Sequence, residues 1–460
     1  MPRGGSVPAH DATAEDLARL DRFPFVVVSW VDDDGYPISV ATDFRTDAAA
    51  GVVVLRQPAG ELLAIPTDRE VNVCGSHIRP KPGEGYDERR YLQLWGSAVT
   101  ADAGGEVTFR PARAWGWDEQ EVPFFEYSER SVPQSRHYLA QLSAEKGRTI
   151  RPRLAAGWLF LRTTRLPFLS ATFVPVLLGI AIAARNGAFD WGLALLTVLG
   201  GAFAHLGINV ANDIFDTLSG ADEANVNPTQ FSGGSRVLIY DLLTIRQLVA
   251  LDAALFGAAI LIGLLLVWMT GSVLLLGIGV LGVLIGLAYT APPLKLVYRG
   301  LGEIAVALGF GPAMLLGAYV VQTGQLSWEA AVASVPVAIL VALILYVNEI
   351  PDRSGDAAAG KRTLPVRLSA DAVTTIYLVA ALGAFAVILA GVAVGLLPPF
   401  TLLALGAAPL ALRVHRGIQA NYSSPYTLMA FMGTNVNLHL LTGVGLLAGY
   451  AIAIVVAALA

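Results

Sequence analysis

Two stretches, far apart along the chain, carry residues able to do the same chemistry. In 209–222, "NVANDIFDTLSGAD", Asp213 and Asp216 stand three residues apart, and Asn209 and Asn212 repeat that spacing. In 348–363, "NEIPDRSGDAAAGKRT", Asp352 and Asp356 stand four apart, with Asn348 four residues earlier. Residues three or four apart share a helix face, so each stretch offers a row of hard oxygen donors. Mg2+ prefers such oxygens, keeps several of its waters, and is usually held by one or two carboxylates together with substrate phosphates. Crowded carboxylates beside a low-dielectric region repel one another and are costly to charge; a divalent cation removes that penalty. Lys295, Arg299, Lys361 and Arg362 are basic residues suited to the remaining phosphate charge. The rival reading, solvated loop acids and helix caps, suits one such pair better than two pairs on one membrane face. The spacing points to metal–diphosphate binding and does not by itself name a reaction.

These residues need elements to bring them together, and the composition says which kind. The 460 residues are 55% hydrophobic and 15% charged, with a mean hydropathy of +0.58. From about Leu166 the apolar residues gather into runs of roughly 20, the length a helix needs to cross ~30 Å of hydrocarbon. About nine spans are expected: 166–184, 191–211, 247–269, 272–289, 302–321, 330–347, 372–396, 398–412 and 436–458. The eighth is short and carries Pro409. Before Gly157 the charged residues are spread as in a soluble domain. The expectation is therefore multidomain, with a soluble domain at 1–147, a basic linker and interfacial helix at 148–165, and an all-α membrane domain at 166–460. The net charge of −5 averages two solvents and says little. Cys74 is the only cysteine, which excludes an intramolecular disulfide framework. The first residues lack the apolar core of a signal peptide, and no nucleic-acid partner is expected.

The basic residues then set an expected topology. Arg148, Arg151, Arg153, Arg162 and Arg165 precede the first span. Arg236 and Arg246, Lys295 and Arg299, Arg353, Lys361, Arg362 and Arg367, and Arg413 and Arg416 follow even-numbered spans, whereas Arg185 alone follows an odd one. By the positive-inside rule the amino terminus is cytoplasmic and the carboxyl terminus outside, in an inner (plasma) membrane. Both acidic stretches then fall on the cytoplasmic side. In 147–165 the arginines are expected at the headgroups, while Trp158, Leu159 and Phe160 dip inward.

The motifs "NDIFD" (212–216) and "DRSGD" (352–356) resemble the two aspartate-rich motifs of the UbiA superfamily of intramembrane prenyltransferases. "VPVLLGIAIA", "YTAPPLKLVYRGLGE" and "AAAGKRTLPVRL" support the resemblance, which covers about 158–460. One departure is informative: the last aspartate of the first motif is not at Gly220 but at Asp222. That longer form resembles the 1,4-dihydroxy-2-naphthoate polyprenyltransferases of menaquinone synthesis. The resemblance implies Mg2+ held by Asp213, Asp216, Asp222, Asp352 and Asp356. Asn212 would act with them, and Asn209, Asn348, Lys295, Arg299, Lys361 and Arg362 would hold the diphosphate. It implies polyprenyl diphosphate and an aromatic acceptor as substrates, in contact with membrane lipid. Related acceptors are 4-hydroxybenzoate, homogentisate or a lipid alcohol; a transporter or a non-catalytic anchor are the readings from other classes. Tyr289 and Tyr298 are placed to face an allylic cation or to pack at the interface. His439, polar within an apolar run, reads as a helix–helix hydrogen-bond donor rather than a catalytic base.

The first domain reads as a small antiparallel β split barrel with flanking helices. "FVVVSWV" is β-branched and aromatic, "DDDG" is a turn, and "YPISVATDFR" resumes as a strand. Further strands are expected at "REVNVCGS", "RYLQLWGSAVTA" and "EVTFRPARAWGW", and helices at about 12–20 and 135–146. The order is similar to the pyridoxamine-phosphate-oxidase-like split barrels. That resemblance implies FMN, deazaflavin or haem, with Arg45, Ser76 and Arg79 as flavin-phosphate contacts, and a homodimer through the barrel. The aromatic segment 113–130 is suited to covering a flat cofactor or to packing against the membrane domain.

Overall fold

The computed structural model describes residues 9–58, 63–81, 85–101, 105–152, 154–225, 227–229 and 231–459. Arg153, one of the linker arginines, lies outside the described residues. The chain forms two compact units, Met1–Gln141 and Leu142–Ala460.

In the first unit, β1 (His10–Asp11) and α1 (Ala14–Leu20) precede seven longer strands. These are β2 (Val26–Val31), β3 (Pro37–Thr42), β4 (Phe44–Asp47), β5 (Val52–Arg56), β6 (Glu70–Lys81), β7 (Gly85–Ala101) and β8 (Glu106–Asp118). All pair antiparallel in the order β3-β2-β6-β7-β8-β5-β4, with β1 on β8. Alternation builds the core: Val26, Val28, Val71, Val73, Leu92, Leu94, Val107 and Phe109 point inward at every second position. The expected "DDDG" turn closes β2 onto β3, where the Asp32 carboxylate accepts from the amides of Asp34 (3.0 Å) and Tyr36 (2.7 Å). The two edge strands are consecutive in sequence, since β3 ends at Thr42 and β4 begins at Phe44. A single residue thus joins opposite edges, and the sheet curls into a half-barrel.

The next helix, α2 (Phe124–Glu145), starts well before the expected 135. The reason is aromatic packing: Tyr127 stacks on Trp117 at 4.6 Å between ring centroids, and its hydroxyl meets that of Tyr91 at 2.6 Å. The aromatic segment is held by its own strands.

The second unit is helical. α3 (Ala156–Thr164), α4 (Ser170–Arg185), α5 (Trp191–Leu218), a single turn α6 (Ala221–Ala224), α7 (Ile245–Thr270) and α8 (Val273–Thr290) come first. α9 (Gly302–Leu308) and α10 (Met314–Thr323) are joined through a widened turn at Gly309–Ala313. α11 (Trp328–Ala358), a turn α12 (Leu364–Arg367), α13 (Ala370–Ala393), α14 (Ala408–Asn421) and α15 (Pro425–Leu459) complete it. Among the described residues, seven segments are long and apolar enough to cross a membrane: α5, α7, α8, α9 through α10, α11, α13 and α15. The chain is therefore a multi-pass membrane protein. Of the nine expected spans, the first is α4, only 16 residues long. The eighth begins as a tight 3-10 segment, Pro399–Ala407, before α14. That segment presses on α15, where a Cβ at Gly449 would meet Thr401 Cα at 2.6 Å.

Candidate active site

The expected spans 191–211 and 330–347 stop short of the acidic residues, but α5 runs on to Leu218 and α11 to Ala358. Asp213 and Asp216 are therefore on the last turns of α5 and Asp352 and Asp356 on those of α11, while Asp222 lies on the turn α6. Four of the carboxylates are deeply buried, Asp213 at 2% exposed, Asp216 6%, Asp222 5% and Asp356 8%, and Asp352 is half-buried.

Charges that leave water need partners, and each has one. Arg165 donates to Asp213 at 2.8 Å. Lys361 reaches Asp216 at 2.9 Å and Asp356 at 3.7 Å. The two acidic sets, some 140 residues apart in sequence, thus meet at one ammonium group. Lys361 is placed there by a turn, since its own amide donates to the Asp356 carbonyl at 2.8 Å directly after α11. Burial works against its charge, but Asp216 and Asp356 outweigh burial and lift Lys361 above its ordinary pKa. Tyr298 donates to Asp216 at 3.2 Å and meets Ser219 at 2.5 Å. Burial, then Asp216, pushes the Tyr298 phenol up to about 12, so it keeps its proton at neutral pH.

The loop between α6 and α7 supplies the rest. The Ser235 amide donates to both oxygens of Asp213 at 3.1 Å. Asn225 donates to one oxygen of Asp352 at 2.7 Å and the Gly233 amide to the other at 2.9 Å. One loop therefore holds a carboxylate from each set. Its turn needs Gly233 and Gly234 at φ of +76° and +74°, a region that favours glycine. α11 admits the loop at Gly355, where a Cβ would meet Asn225 Cα at 2.7 Å. Asp222 accepts from Thr217 at 3.3 Å. Burial, then the neighbouring Asp213 and Asp216 carboxylates, raises Asp222 well above the usual carboxylate range.

Beside this cluster opens a cavity of about 600 Å³. Arg165, Asn209, Asn212, Tyr289 and Asn348 form its polar end, and side chains such as Phe231, Phe256, Leu264, Ile278, Phe310 and Met314 its long apolar wall. His205 also faces it, with Nδ1 2.7 Å from the Thr172 hydroxyl.

The structure thus brings Asp213, Asp216, Asp222, Asp352, Asp356 and Lys361 into one cluster, with Asn209, Asn212 and Asn348 on the cavity side. Asn212 spends a donor on Asp216 at 3.1 Å, and Asn209 one on the Thr164 carbonyl at 3.0 Å. Lys295 instead lies over the Tyr298 ring at 4.9 Å, Arg299 turns to the Pro293 carbonyl at 3.1 Å, and the Arg362 side chain is exposed. Two expectations are corrected. Arg162 and Arg165 are not left to lipid headgroups but have protein partners: Arg162 donates to the Ser235 carbonyl at 2.8 Å, and Arg165 donates to Asp213, a buried carboxylate that needs a counter-charge. His439 is not a helix–helix donor, since neither ring nitrogen has a partner among the described residues. Arg165, Asn225, Gly233 and Ser235 were not singled out as site residues; the "FSGGSR" glycine pair was the available signal. In the barrel, Arg45 pairs with Glu106 at 2.9 Å and Arg79 with Glu88 at 2.9 Å, on strands that are not neighbours, with Ser76 on the strand of Arg79. A flavin phosphate there would compete with those glutamates.

Among the described residues no three His, Cys, Asp or Glu side chains stand close enough to cage a metal alone. The donor set nevertheless fits Mg2+. It consists of carboxylates only, and ion pairs with Arg165 and Lys361 reach Asp213, Asp216 and Asp356, leaving Asp222 and Asp352 with neutral donors. An ion shared with substrate phosphate, rather than an all-protein cage, is the usual arrangement for Mg2+.

Comparison with known proteins adds the family. Residues 172–435 match the model of the UbiA prenyltransferase family. The 1,4-dihydroxy-2-naphthoate octaprenyltransferase of Bacillus subtilis is 26% identical over 67% of this chain and 99% of its own length. Its namesake from Mycobacterium tuberculosis is 32% identical over 52% of this chain and 78% of its own length. A solved UbiA homolog from Archaeoglobus fulgidus bound to GPP and Mg2+ is 15% identical, with a TM-score of 0.44 over 63% of this chain and 99% of that one.

Proposed function

The chain belongs to the UbiA prenyltransferase family, and from that premise we propose that it moves a polyprenyl group from polyprenyl diphosphate to 1,4-dihydroxy-2-naphthoate at the α5–α11 cluster. It is a membrane prenyltransferase, with relatives named for transfer to dihydroxynaphthoate. The observation that carries the site is the Lys361 ammonium, which joins Asp216 of α5 to Asp356 of α11 beside the apolar cavity.

Asp213, Asp216, Asp222, Asp352 and Asp356 would hold Mg2+, which supplies charge neutralisation to a departing diphosphate. The residues around them have separate tasks. Lys361, buried, and Arg165, half-buried, are cations able to turn from carboxylate to phosphate as the site fills. The 225–235 loop fixes Asp213 and Asp352 through its main-chain amides, so their oxygens do not reorient during reaction. The cavity wall takes the prenyl chain and excludes water from an allylic cation at the polar end. Tyr289, facing that end, offers a π face. Asn209, Asn212 and Asn348 orient the acceptor and the diphosphate. The positive-inside charge distribution supports an inner-membrane protein with the cluster on the cytoplasmic side.

Membranes containing the full chain, incubated with radiolabelled polyprenyl diphosphate, Mg2+ and a panel of aromatic acceptors, test this reading. Label transfer to dihydroxynaphthoate, absent with EDTA, is the expected result. Transfer only to 4-hydroxybenzoate, homogentisate or a lipid alcohol would overturn the acceptor. For the barrel, a flavin, deazaflavin or haem acting on the quinone product predicts visible absorbance in the purified chain; a colourless preparation from flavin-replete cells would remove that role.

A further inference from the structure

α14 carries a second concavity, remote in sequence from both acidic sets. It has a volume of about 510 Å³ and is lined by Pro409, Leu412, Arg413, Arg416 and Ala420 of α14 and by Phe431 of α15. These α14 positions recur at spacings of three and four, so they form one helix face. The face has a gradient: Pro409 and Leu412 come first, then Arg413 and Arg416, with the small Ala420 last. Both arginines are exposed, and among the described residues neither has an ion pair, hydrogen bond or ring contact.

The floor of the concavity is built by close packing. At Gly417 a Cβ would meet the Phe431 ring at 2.2 Å, so glycine there lets the ring lie directly on α14. The direction of the gradient is also settled. Arg353, one residue after Asp352, donates to the Tyr422 carbonyl at 2.9 Å and lies over its ring at 4.5 Å. Tyr422 directly follows α14, so the basic half of this face points toward the level of the acidic cluster. Arg416 is six residues from Tyr422, about 9 Å along a helix.

An apolar trough running toward the hydrocarbon, ending in two uncompensated guanidinium groups near the surface, has the layout of a phospholipid with acidic headgroup. Basic pockets between membrane helices bind such headgroups, and arginine suits phosphate through its paired donors. We propose that the α14–α15 concavity is a binding site for an anionic phospholipid, with the phosphate on Arg413 and Arg416 and an acyl chain against Leu412 and Phe431. Through the Arg353–Tyr422 contact it lies at the level of the acidic cluster.

The test uses the full chain in nanodiscs of phosphatidylcholine mixed with phosphatidylglycerol, with bound lipid read by native mass spectrometry. Wild type is expected to retain phosphatidylglycerol selectively, and Arg413→Gln/Arg416→Gln to lose that selectivity by roughly thirtyfold, the effect of two basic contacts. Arg413→Lys/Arg416→Lys is expected to keep part of it. Equal retention by wild type and the glutamine variant, or no preference for phosphatidylglycerol in wild type, overturns the site. A photoactivatable phosphatidylglycerol on the wild-type chain tests the same point independently of any variant. Adducts concentrated between Pro409 and Phe431 support the site, and adducts spread evenly over the lipid-facing helices, or concentrated at the α5–α11 cluster, contradict it.

Discussion

The same ion-pair distance occurs in both units with opposite meaning. In the barrel Arg45 and Glu106 stand 2.9 Å apart, their side chains 64% and 48% exposed. In the helical unit Lys361 and Asp216 also stand 2.9 Å apart, at 9% and 8%. Water screens the first pair, which contributes little to stability. The second pair is held out of water, where desolvation costs as much as attraction returns. Burying Asp213, Asp216 and Asp356 at the ends of two membrane helices, with Asp222 on the turn that follows the first, is therefore poor design for a fold and good design for a site that must hold cations and phosphate. Environment, not distance, separates the two.

The contrast can be broken or sharpened by substitution. The largest effect is expected from Asp213→Asn or Asp352→Asn. Either should lower Mg2+-dependent prenyl transfer about 10³-fold or more, the several kcal/mol expected of a metal-assisted leaving group, with the protein still folded by thermal melting in detergent. Lys361→Met comes next. It leaves Asp216 and Asp356 facing each other without their cation, a loss of about 3 kcal/mol, and the thermal midpoint should fall more without Mg2+ than with it. Gly355→Ala should be smaller, about 2 kcal/mol from overpacking. Alanine ordinarily stabilises a helix interior relative to glycine, so a destabilised protein with weakened transfer would show that contact with Asn225 governs here. Arg45→Gln should be smallest, changing barrel stability by less than about 1 kcal/mol, read from its melting curve. A large effect there would erase the contrast between the units.

What the sequence made legible follows the range of the interactions involved. β2, β3, β6, β7 and β8 were readable because alternation and turn chemistry are local. The hydrophobic helices were readable by length, and the spacing of Asp213 with Asp216 and of Asp352 with Asp356 survived intact. The ends of α5 and α11 were not, because a fall in hydropathy reads as the end of a span, whereas here the helix continues with its carboxylates paired to Arg165 and Lys361, partners remote in sequence. Pro351 did not stop α11 either. The start of α2 was hidden because contacts of Tyr127 with Tyr91 and Trp117 on the strands decide it. Arg165 read as a headgroup residue because nothing near it in sequence announces Asp213, 48 residues on. Asn225 was missed for the same reason, since its partner Asp352 is 127 residues away.

The central claim is that the ends of α5 and α11 act as one divalent-cation and diphosphate site. Mn2+ binding, followed by electron paramagnetic resonance in the presence of a non-hydrolysable prenyl diphosphate analogue, tests it most directly. Wild type should take up Mn2+ only with the analogue present. Asp213→Asn and Asp352→Asn should each abolish that uptake, and the double variant should be no worse than either alone. Full Mn2+ uptake in both single variants, or loss from one motif only, would contradict the account.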